Sequence, residues 1–145
     1  MADCRVEASL RMASDKVEED QSRLPVVHVL VSEDFFWERV VGTLRALRKN
    51  PVTPDWSEDV FKQIAPRPGL GAVIDLEDSS FPALGVLKKL LKDKRTRGWI
   101  LVVYCAHEAK ELQASATALG LMVVPRSTFA GNLVKTLQVF GLPEP

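Results

Sequence analysis

The residue best placed for chemistry is Asp75, which ends an apolar segment that begins at Gly71. Two other apolar runs, Val26 to Val31 and Trp99 to Val103, flank this segment at about the spacing of a strand–helix–strand crossover. We therefore predict that all three are central strands of a parallel sheet. Reaction sites in such sheets lie beyond the carboxyl ends of the strands, which is where Asp75 would stand. Its chemistry depends on the groups that surround it.

A cysteine and a histidine two residues apart, Cys105 and His107, follow the last of these runs. Such a pair at a strand end could perform nucleophilic or metal chemistry. It has no third ligand and no orienting acid at a recognisable spacing, so the pattern favours no particular reaction. His28, inside the first strand, is more typical of a buried core histidine than of a ligand.

The loop after the first strand excludes two common phosphate-binding motifs. Ser32, Glu33, Asp34 and Phe35 follow that strand, and none of them is glycine. A P-loop and a dinucleotide-binding fingerprint both need glycines at this place. Acidic side chains there would also repel the phosphate of a flavin mononucleotide.

The composition is that of an ordinary globular protein. The chain has 145 residues, enough for one domain with a full core, and 46% of them are apolar. Its 19 basic and 19 acidic side chains give no net charge, which argues against nucleic acid or an anionic membrane as the main partner. Cys4 and Cys105 form no zinc or CxxC spacing, so a reducing cytoplasm fits best. No apolar run approaches the roughly 18 residues of a membrane span.

Apolar periodicity predicts five strands that alternate with five helices. The predicted strands cover residues 26–31, 51–56, 71–75, 99–104 and 121–124, and the second, with two prolines, can only be an edge strand. Ser57 should cap the second helix, and the fourth helix should run from Glu108 to Leu119. The buried face of the third helix should consist of Leu84, Leu87, Leu90 and Leu91. Residues 1–24 should form an arm, either helical or disordered, and residues 143–145 a tail.

Basic residues gather on the outer face and at the end of the third helix. They are Lys88, Lys89, Lys92, Lys94, Arg95 and Arg97, against the single acid Asp93. A solvated helix end, with positive charge near the negative pole of the helix dipole, is the simpler interpretation. The alternative is a docking patch for an acidic partner.

With its elements in this order, the segment from residue 26 to residue 141 resembles the receiver domain of bacterial two-component response regulators. The resemblance rests on the element order and on the strand-end residues rather than on a contiguous motif. It implies an α/β fold, a flavodoxin-like (βα)5 three-layer sandwich around a central parallel five-stranded sheet with strand order 2-1-3-4-5. The receiver-like domain would cover residues 25–142.

The resemblance gives Asp75 the place of the aspartate that accepts a phosphoryl group. Two acids normally end the first strand of a receiver and hold Mg²⁺. Here Ser32 and Glu33 stand in their place, with Asp34 next in line. Because Mg²⁺ prefers near-octahedral oxygen ligands, Glu33, Asp34 and Asp75 would assemble a weak site at most.

The other strand ends also depart from the receiver pattern. The hydroxyl residue that normally ends the fourth strand is replaced by Cys105, or by Tyr104 if the register is shifted by one residue. A thiol is a weak hydrogen-bond donor and would serve a phosphate badly. At the fifth strand the usual Lys-Pro order is replaced by Pro125 and Arg126, and a guanidinium there does not reproduce the reach of a lysine.

Asp75 also has a purely structural interpretation. Its carboxylate could accept hydrogen bonds from the backbone of Ser79 or Ser80 at the start of the next helix, or pair with Arg126. Because several groups used in phosphoryl transfer are altered together, we expect a degenerate receiver.

The predicted function is that of a stand-alone receiver-like signalling domain that acts through protein–protein interaction, without normal phosphorylation of Asp75 and without catalysis. Two alternatives stay open: a phosphoaccepting receiver that uses Asp75 with Mg²⁺, and a small enzyme with a Cys105/His107 site. We expect no cofactor, or weakly bound Mg²⁺ at most. We also expect a protein partner in a signalling pathway, no nucleic acid, no membrane and a cytoplasmic location.

The resemblance also implies a contact surface. In receivers the face of the fourth helix, fifth strand and fifth helix is the usual output and dimer surface. The corresponding residues here are Glu108, Lys110, Glu111, Gln113, Arg126, Asn132 and Lys135. A homodimer could form through this face or through the N-terminal arm.

Overall fold

A parallel five-stranded sheet forms the centre of the computed structural model, which describes residues 23–141. Its strands are β1 (Val26–Leu30), β2 (Asn50–Val52), β3 (Gly71–Asp75), β4 (Ile100–Cys105) and β5 (Val123–Pro125). They lie in the order β2-β1-β3-β4-β5, and every neighbouring pair is parallel. The predicted fold class and strand order are confirmed. The predicted arm, up to residue 22, and the predicted tail lie outside the described residues.

Helices connect the strands and cover both faces of the sheet. They are α1 (Asp34–Ala46), α2 (Val60–Ile64), α3 (Ala83–Lys92), α4 (Lys110–Ala118), α5 (Arg126–Gly131) and α6 (Leu133–Leu137), followed by a 3₁₀ turn, Gln138–Phe140. A single last helix was predicted, but Asn132, at φ −132° and ψ 41°, interrupts it between α5 and α6. Of the helices between residues 23 and 141, none is long and apolar enough to cross a membrane.

Alternation along the strands gives the sheet two separate cores. In β3, Val73 packs in the core under α1, α5 and α6, whereas Ile74 packs in the core under α2, α3 and α4. Asp75 follows Val73 by two residues, so its side chain leaves the sheet on the α1 side. In β4 the same alternation places Tyr104 in the first core and Cys105 in the second.

The start of α2 differs from the prediction. Asp59 caps this helix in place of Ser57, and its carboxylate accepts a hydrogen bond from the backbone nitrogen of Lys62 at 3.0 Å. Ser57 instead donates its backbone and hydroxyl hydrogens to Asp55, at 2.9 and 2.7 Å. The Asp-x-Ser turn therefore uses the serine that the pattern had assigned to the helix.

The buried face of α3 is also shifted from the prediction. Leu87 and Leu90 are buried as expected, but Leu84 and Leu91 are only half-buried. The smaller residues Ala83 and Val86 complete the buried face of the helix. Positions 83, 86, 87 and 90 follow the i, i+3, i+4, i+7 pattern, so they share the helix face that meets the sheet.

Three short elements have other bounds than predicted. β2 ends at Val52 instead of continuing to Trp56, although it is an edge strand as expected. α4 is shorter at both ends, and Ala116 is its one fully buried residue. β5 begins two residues later than predicted and reaches Pro125, because it pairs only with Val103 to Cys105 of β4.

Candidate functional site at the carboxyl ends of the strands

Asp75, the last residue of β3, is buried at the carboxyl edge of the sheet. Only 5% of its surface is exposed, and its Oδ1 accepts a hydrogen bond from the backbone nitrogen of Glu77 at 2.9 Å. Burial raises the pKa of the Asp75 carboxyl above its ordinary value, and the charges of Asp78 and Glu77 raise it further. The Glu77 N–H and the charge of Arg126 oppose this rise. The structure therefore favours the protonated form of Asp75 more than water does.

Asp78, which the sequence pattern did not reveal as a site residue, joins the end of β1 to the loop after β3. Its Oδ2 accepts the backbone N–H of Ser32 at 2.7 Å, and its Oδ1 accepts the hydroxyl of the same serine at 2.8 Å. Oδ1 also accepts the backbone N–H of Ser80 at 2.8 Å, and the Ser80 and Ser32 hydroxyls are 2.8 Å apart. The bond from Ser80 that was predicted for Asp75 is thus made by Asp78. An aspartate two residues before a serine is a turn signal that could have identified it.

The two acids that follow Ser32 belong to the start of α1. The carboxylate of Glu33 accepts hydrogen bonds from the backbone nitrogens of Phe35 and Phe36, both at 3.1 Å. Asp34 is exposed in the first turn of the same helix. Both acids stabilise the positive end of the helix dipole, as their position in the sequence indicates.

The residues at the acidic positions do not fit the Mg²⁺ ion that the resemblance to receivers implies. The Ser32 hydroxyl is bonded to Asp78, and both oxygens of Glu33 are bonded to the start of α1. Between residues 23 and 141 no group of three or more histidine, cysteine, aspartate or glutamate side chains is arranged to hold a metal ion. The predicted weak site of Glu33, Asp34 and Asp75 is therefore not assembled.

Arg126, the first residue of α5, pairs with Glu77 and not with Asp75. Its Nη2 donates to Glu77 Oε1 at 2.8 Å, and the backbone nitrogen of Ala106 donates to the same oxygen at 2.6 Å. The guanidinium carbon also lies 5.9 Å from the centroid of the Phe36 ring. The pair is partly exposed, so it adds at most about 1 kcal/mol to stability. Its main effect is to link the loops after β3 and β4 to the start of α5.

Tyr104, and not Cys105, is the residue of β4 that stands opposite Asp75 in the sheet. Its ring is fully buried, with its centroid 4.2 Å from that of Phe129 and 5.3 Å from that of Phe36. The hydroxyl is buried and has no hydrogen-bond partner within the described part of the chain. Burial first, and then the charge of Asp75, raise the pKa of Tyr104. Of the two residues considered for the end of the fourth strand, Tyr104 is therefore the one beside Asp75.

Cys105 and His107 do not form a joint site. Cys105 is fully buried in the core under α3 and α4, whereas His107 is exposed, and no hydrogen bond between their side chains occurs among the described residues. Burial first, and then the charge of Glu77, raise the pKa of the Cys105 thiol. Because the thiolate is the reactive form, this geometry gives no support to a cysteine-dependent reaction.

His28 is confirmed as a core histidine. It is fully buried in β1, and its ring stacks on that of Trp99 with centroids 4.8 Å apart. Its Nε2 lies 3.0 Å from the carbonyl oxygen of Arg67, and burial lowers the pKa of the imidazole. His28 therefore packs as a neutral ring against Trp99, the residue before β4.

We expect the variant Asp75→Asn to be more stable than the wild-type protein at pH 7. The amide oxygen can still accept the Glu77 N–H, while the buried charge is removed. Because the pKa of Asp75 is raised in the folded state, wild-type stability falls as the pH rises from the unfolded-state pKa, about 3.9, through the folded-state pKa. The advantage of the variant should be smallest near pH 4 and should grow as the pH rises towards the folded-state pKa of Asp75. Urea unfolding at several pH values measures it, and an advantage independent of pH would contradict the explanation.

The fold is similar to those of solved signalling proteins. A sensor protein from Polaromonas sp. JS666 has 18% identity and a TM-score of 0.63, over 79% of this chain and 94% of that one. A response regulator receiver protein from Burkholderia phymatum has 17% identity and a TM-score of 0.62, over 83% and 98% of the two chains. The phosphorylated response regulator of a cyanobacterial phytochrome has 13% identity and a TM-score of 0.64, over 83% and 99%. No protein family model matches the sequence, and no curated protein sequence matches it.

At these identities the likeness establishes the fold, which is that of response regulator receiver domains. The five strands and their order are the same features that the sequence predicted. The same fold serves many functions, so the function of this chain depends on its own residues.

Proposed function

We propose that the chain is a receiver-fold signalling domain that acts by binding a protein partner and is not switched by phosphorylation of Asp75. The observation that carries this proposal is the pairing of the strand-end groups with one another, Arg126 with Glu77 and Asp78 with Ser32. Phosphoryl transfer needs metal ligands and a cation that are free to neutralise the transferred group. In this chain the Arg126–Glu77 and Asp78–Ser32 contacts would have to break before these side chains could assist phosphoryl transfer.

The surroundings of Asp75 support the same proposal. A phosphoryl group brings three strongly accepting oxygens, which need hydrogen-bond donors or water. Asp75 is nearly inaccessible, and Tyr104 fills the core beside it. The raised pKa of Asp75 also lowers the fraction of carboxylate available as a nucleophile.

Incubation with acetyl phosphate and Mg²⁺ tests the proposal directly. We expect intact-mass spectrometry to show no phosphoryl adduct on the wild-type protein, as on the control variant Asp75→Asn. A receiver known to accept phosphoryl groups, treated in the same tube, would show that the donor is active. An adduct on the wild-type protein that is missing from Asp75→Asn would contradict the proposal and favour the phosphoaccepting alternative.

The face formed by α4 and β5 is the contact surface in this proposal. β5 is one of the two edge strands of the sheet, and Met122, just before it, is 85% exposed. A groove of about 490 Å³ separates this strand from α4, and its walls include Gln113, Thr117 and Leu121. An exposed methionine beside an open strand edge is typical of surfaces that bind other proteins.

The contact residues that the resemblance implied do not all lie on this face. Gln113 lines the groove between α4 and β5, whereas Asn132 and Lys135 line a separate groove between α1 and α6. Arg126 is held by Glu77 at the carboxyl edge of the sheet.

We expect the protein to form a homodimer through this face and the variant Met122→Lys to weaken it. Removing a central apolar contact and placing a charge there should raise the dimer dissociation constant about tenfold or more. Sedimentation velocity over a range of concentrations measures this. Val134→Lys is the matched control, because Val134 is 54% exposed and lies on the groove beside α1. Equal effects of the two variants, or a monomeric wild-type protein at high concentration, would contradict the expectation.

A further inference from the structure

Charge is segregated along the strand direction, although the whole chain has no net charge. The loops and helix ends at the amino edge of the sheet carry six exposed cations, here called the basic edge: Arg48, Arg67, Lys92, Lys94, Arg95 and Arg97. At the carboxyl edge, acids dominate the loops and helix starts: Glu33, Asp34, Asp55, Glu58, Asp59, Asp75, Glu77, Asp78 and Glu108. The zero net charge therefore conceals a strongly positive surface.

The basic edge is hardly compensated by the domain itself. In the described part of the chain, Asp93 is the one acidic residue in the loops that form the basic edge. Arg95 donates hydrogen bonds to its carboxylate through Nε at 3.0 Å and Nη2 at 2.9 Å. The other five cations form no salt bridge within residues 23–141. Like charges gathered in this way attract an anionic group to the surface.

The chain enters the fold at this same edge. The carbonyl of Pro25 accepts the N–H of Asn50, that of Val26 accepts the N–H of Leu70, and that of Leu70 accepts the N–H of Ile100. The starts of β2, β1, β3 and β4 thus lie side by side. Since neighbouring strands are about 4.8 Å apart, the start of β4 is about 10 Å from the start of β1. The stacking of Trp99 on His28 ties the basic loop before β4 to β1.

The segment that precedes the fold carries the opposite charge. Residues 1–22 contain six acidic and three basic side chains. Four of the acids are within six positions: Asp15, Glu18, Glu19 and Asp20. Asp20 precedes Val26 by six residues, so the tether between them spans at most about 20 Å. That reach covers the start of β4 and the basic loop before it.

We propose that the acidic stretch from Asp15 to Asp20 binds the basic edge of the same chain. The attraction is Coulombic and acts between tethered groups, for which the effective concentration is in the millimolar range. Salt should weaken it, because exposed charges are screened over about 10 Å at 0.1 M ionic strength. The bound stretch occupies the cations that would otherwise take a polyanion or an acidic protein.

Zero-length crosslinking with a carbodiimide tests the contact in the full chain. We expect amide bonds between Lys92 or Lys94 and one of the four acids, found by mass spectrometry in the monomer band and reduced at high salt. Crosslinks between these residues that occur only in a dimer band would overturn the proposal, since a second copy would then supply the acids. The absence of any such crosslink would overturn it as well.

A single-stranded oligonucleotide serves as a polyanion probe of the same edge. If the stretch occupies the edge nine times in ten, neutralising it with Asp15→Asn, Glu18→Gln, Glu19→Gln and Asp20→Asn should increase the affinity for the probe about tenfold. A control with the same change in net charge neutralises exposed acids far from the edge: Asp34→Asn, Glu38→Gln, Glu58→Gln and Glu111→Gln. We expect a clearly smaller increase from the control. Equal increases, or no increase in either variant, would overturn the proposal.

Discussion

The variant Gly71→Ala is expected to unfold far more easily than the wild-type protein, or to fail to fold. A β-carbon at this position would overlap the backbone carbonyl of Ile100, the residue opposite in β4. The obstacle is the backbone of a central strand, so no side-chain rotation can relieve it. We expect a loss of at least about 3 kcal/mol in the free energy of unfolding, above the usual cost of overpacking. Urea denaturation measures it.

Gly42→Ala is the matched control for this loss. Gly42 lies in α1, and a β-carbon there would have nothing within 4 Å. Because alanine favours a helix over glycine by up to about 1 kcal/mol, this variant should be as stable as the wild-type protein or more so. Similar stability of the two variants would contradict the close approach of β3 and β4.

The variant Asp78→Ala is expected to show the second largest loss of stability, about 3 kcal/mol. It removes three hydrogen bonds from the carboxylate and leaves the Ser32 backbone N–H without its acceptor. Hydrogen bonds to a charged group contribute about 1.5 to 3 kcal/mol each, and partial exposure of this cluster reduces their sum. Chemical denaturation with fluorescence detection gives the value.

Two further variants separate the Asp78 contacts from a general effect of charge. Asp78→Asn keeps the shape but turns one acceptor into a donor towards the Ser32 N–H, so we expect an intermediate loss. Asp34→Ala removes an exposed acid at the start of α1 and should change the free energy of unfolding by less than about 0.5 kcal/mol. A loss from Asp78→Ala no larger than that from Asp34→Ala would show that the Ser32 contacts do not stabilise the fold.

The sheet could be predicted because its signals are local. Short apolar runs spaced by amphipathic segments indicate parallel strands, and the resemblance to receivers supplied their order. The element ends could not be predicted in the same way, because turns compete for the same residues. Ser57 donates its hydroxyl to Asp55 and does not cap α2, and Asn132 interrupts the last helix.

The position of Asp75 at the strand end was predictable, but its neighbours were not. Asp78 meets Ser32 across 46 residues, and Arg126 meets Glu77 across 49, so neither pair follows from local spacing. The alternation of β4 could have distinguished Tyr104 from Cys105, since Val102 and Tyr104 share one face. The segregation of charge could not be predicted from the net charge, because the net charge adds the cations of one edge of the sheet to the acids of the other.

An NMR titration with Mg²⁺ tests the central claim most directly. It is carried out first without and then with beryllofluoride, and it monitors the backbone amides of Asp75, Glu77, Asp78 and Arg126. The claim is that these strand-end groups are bonded to one another and form no phosphorylation site. It predicts no saturable shift of these signals at millimolar Mg²⁺ and none on addition of beryllofluoride. Saturable shifts at these four residues that disappear in Asp75→Asn would contradict it and establish a working acidic site.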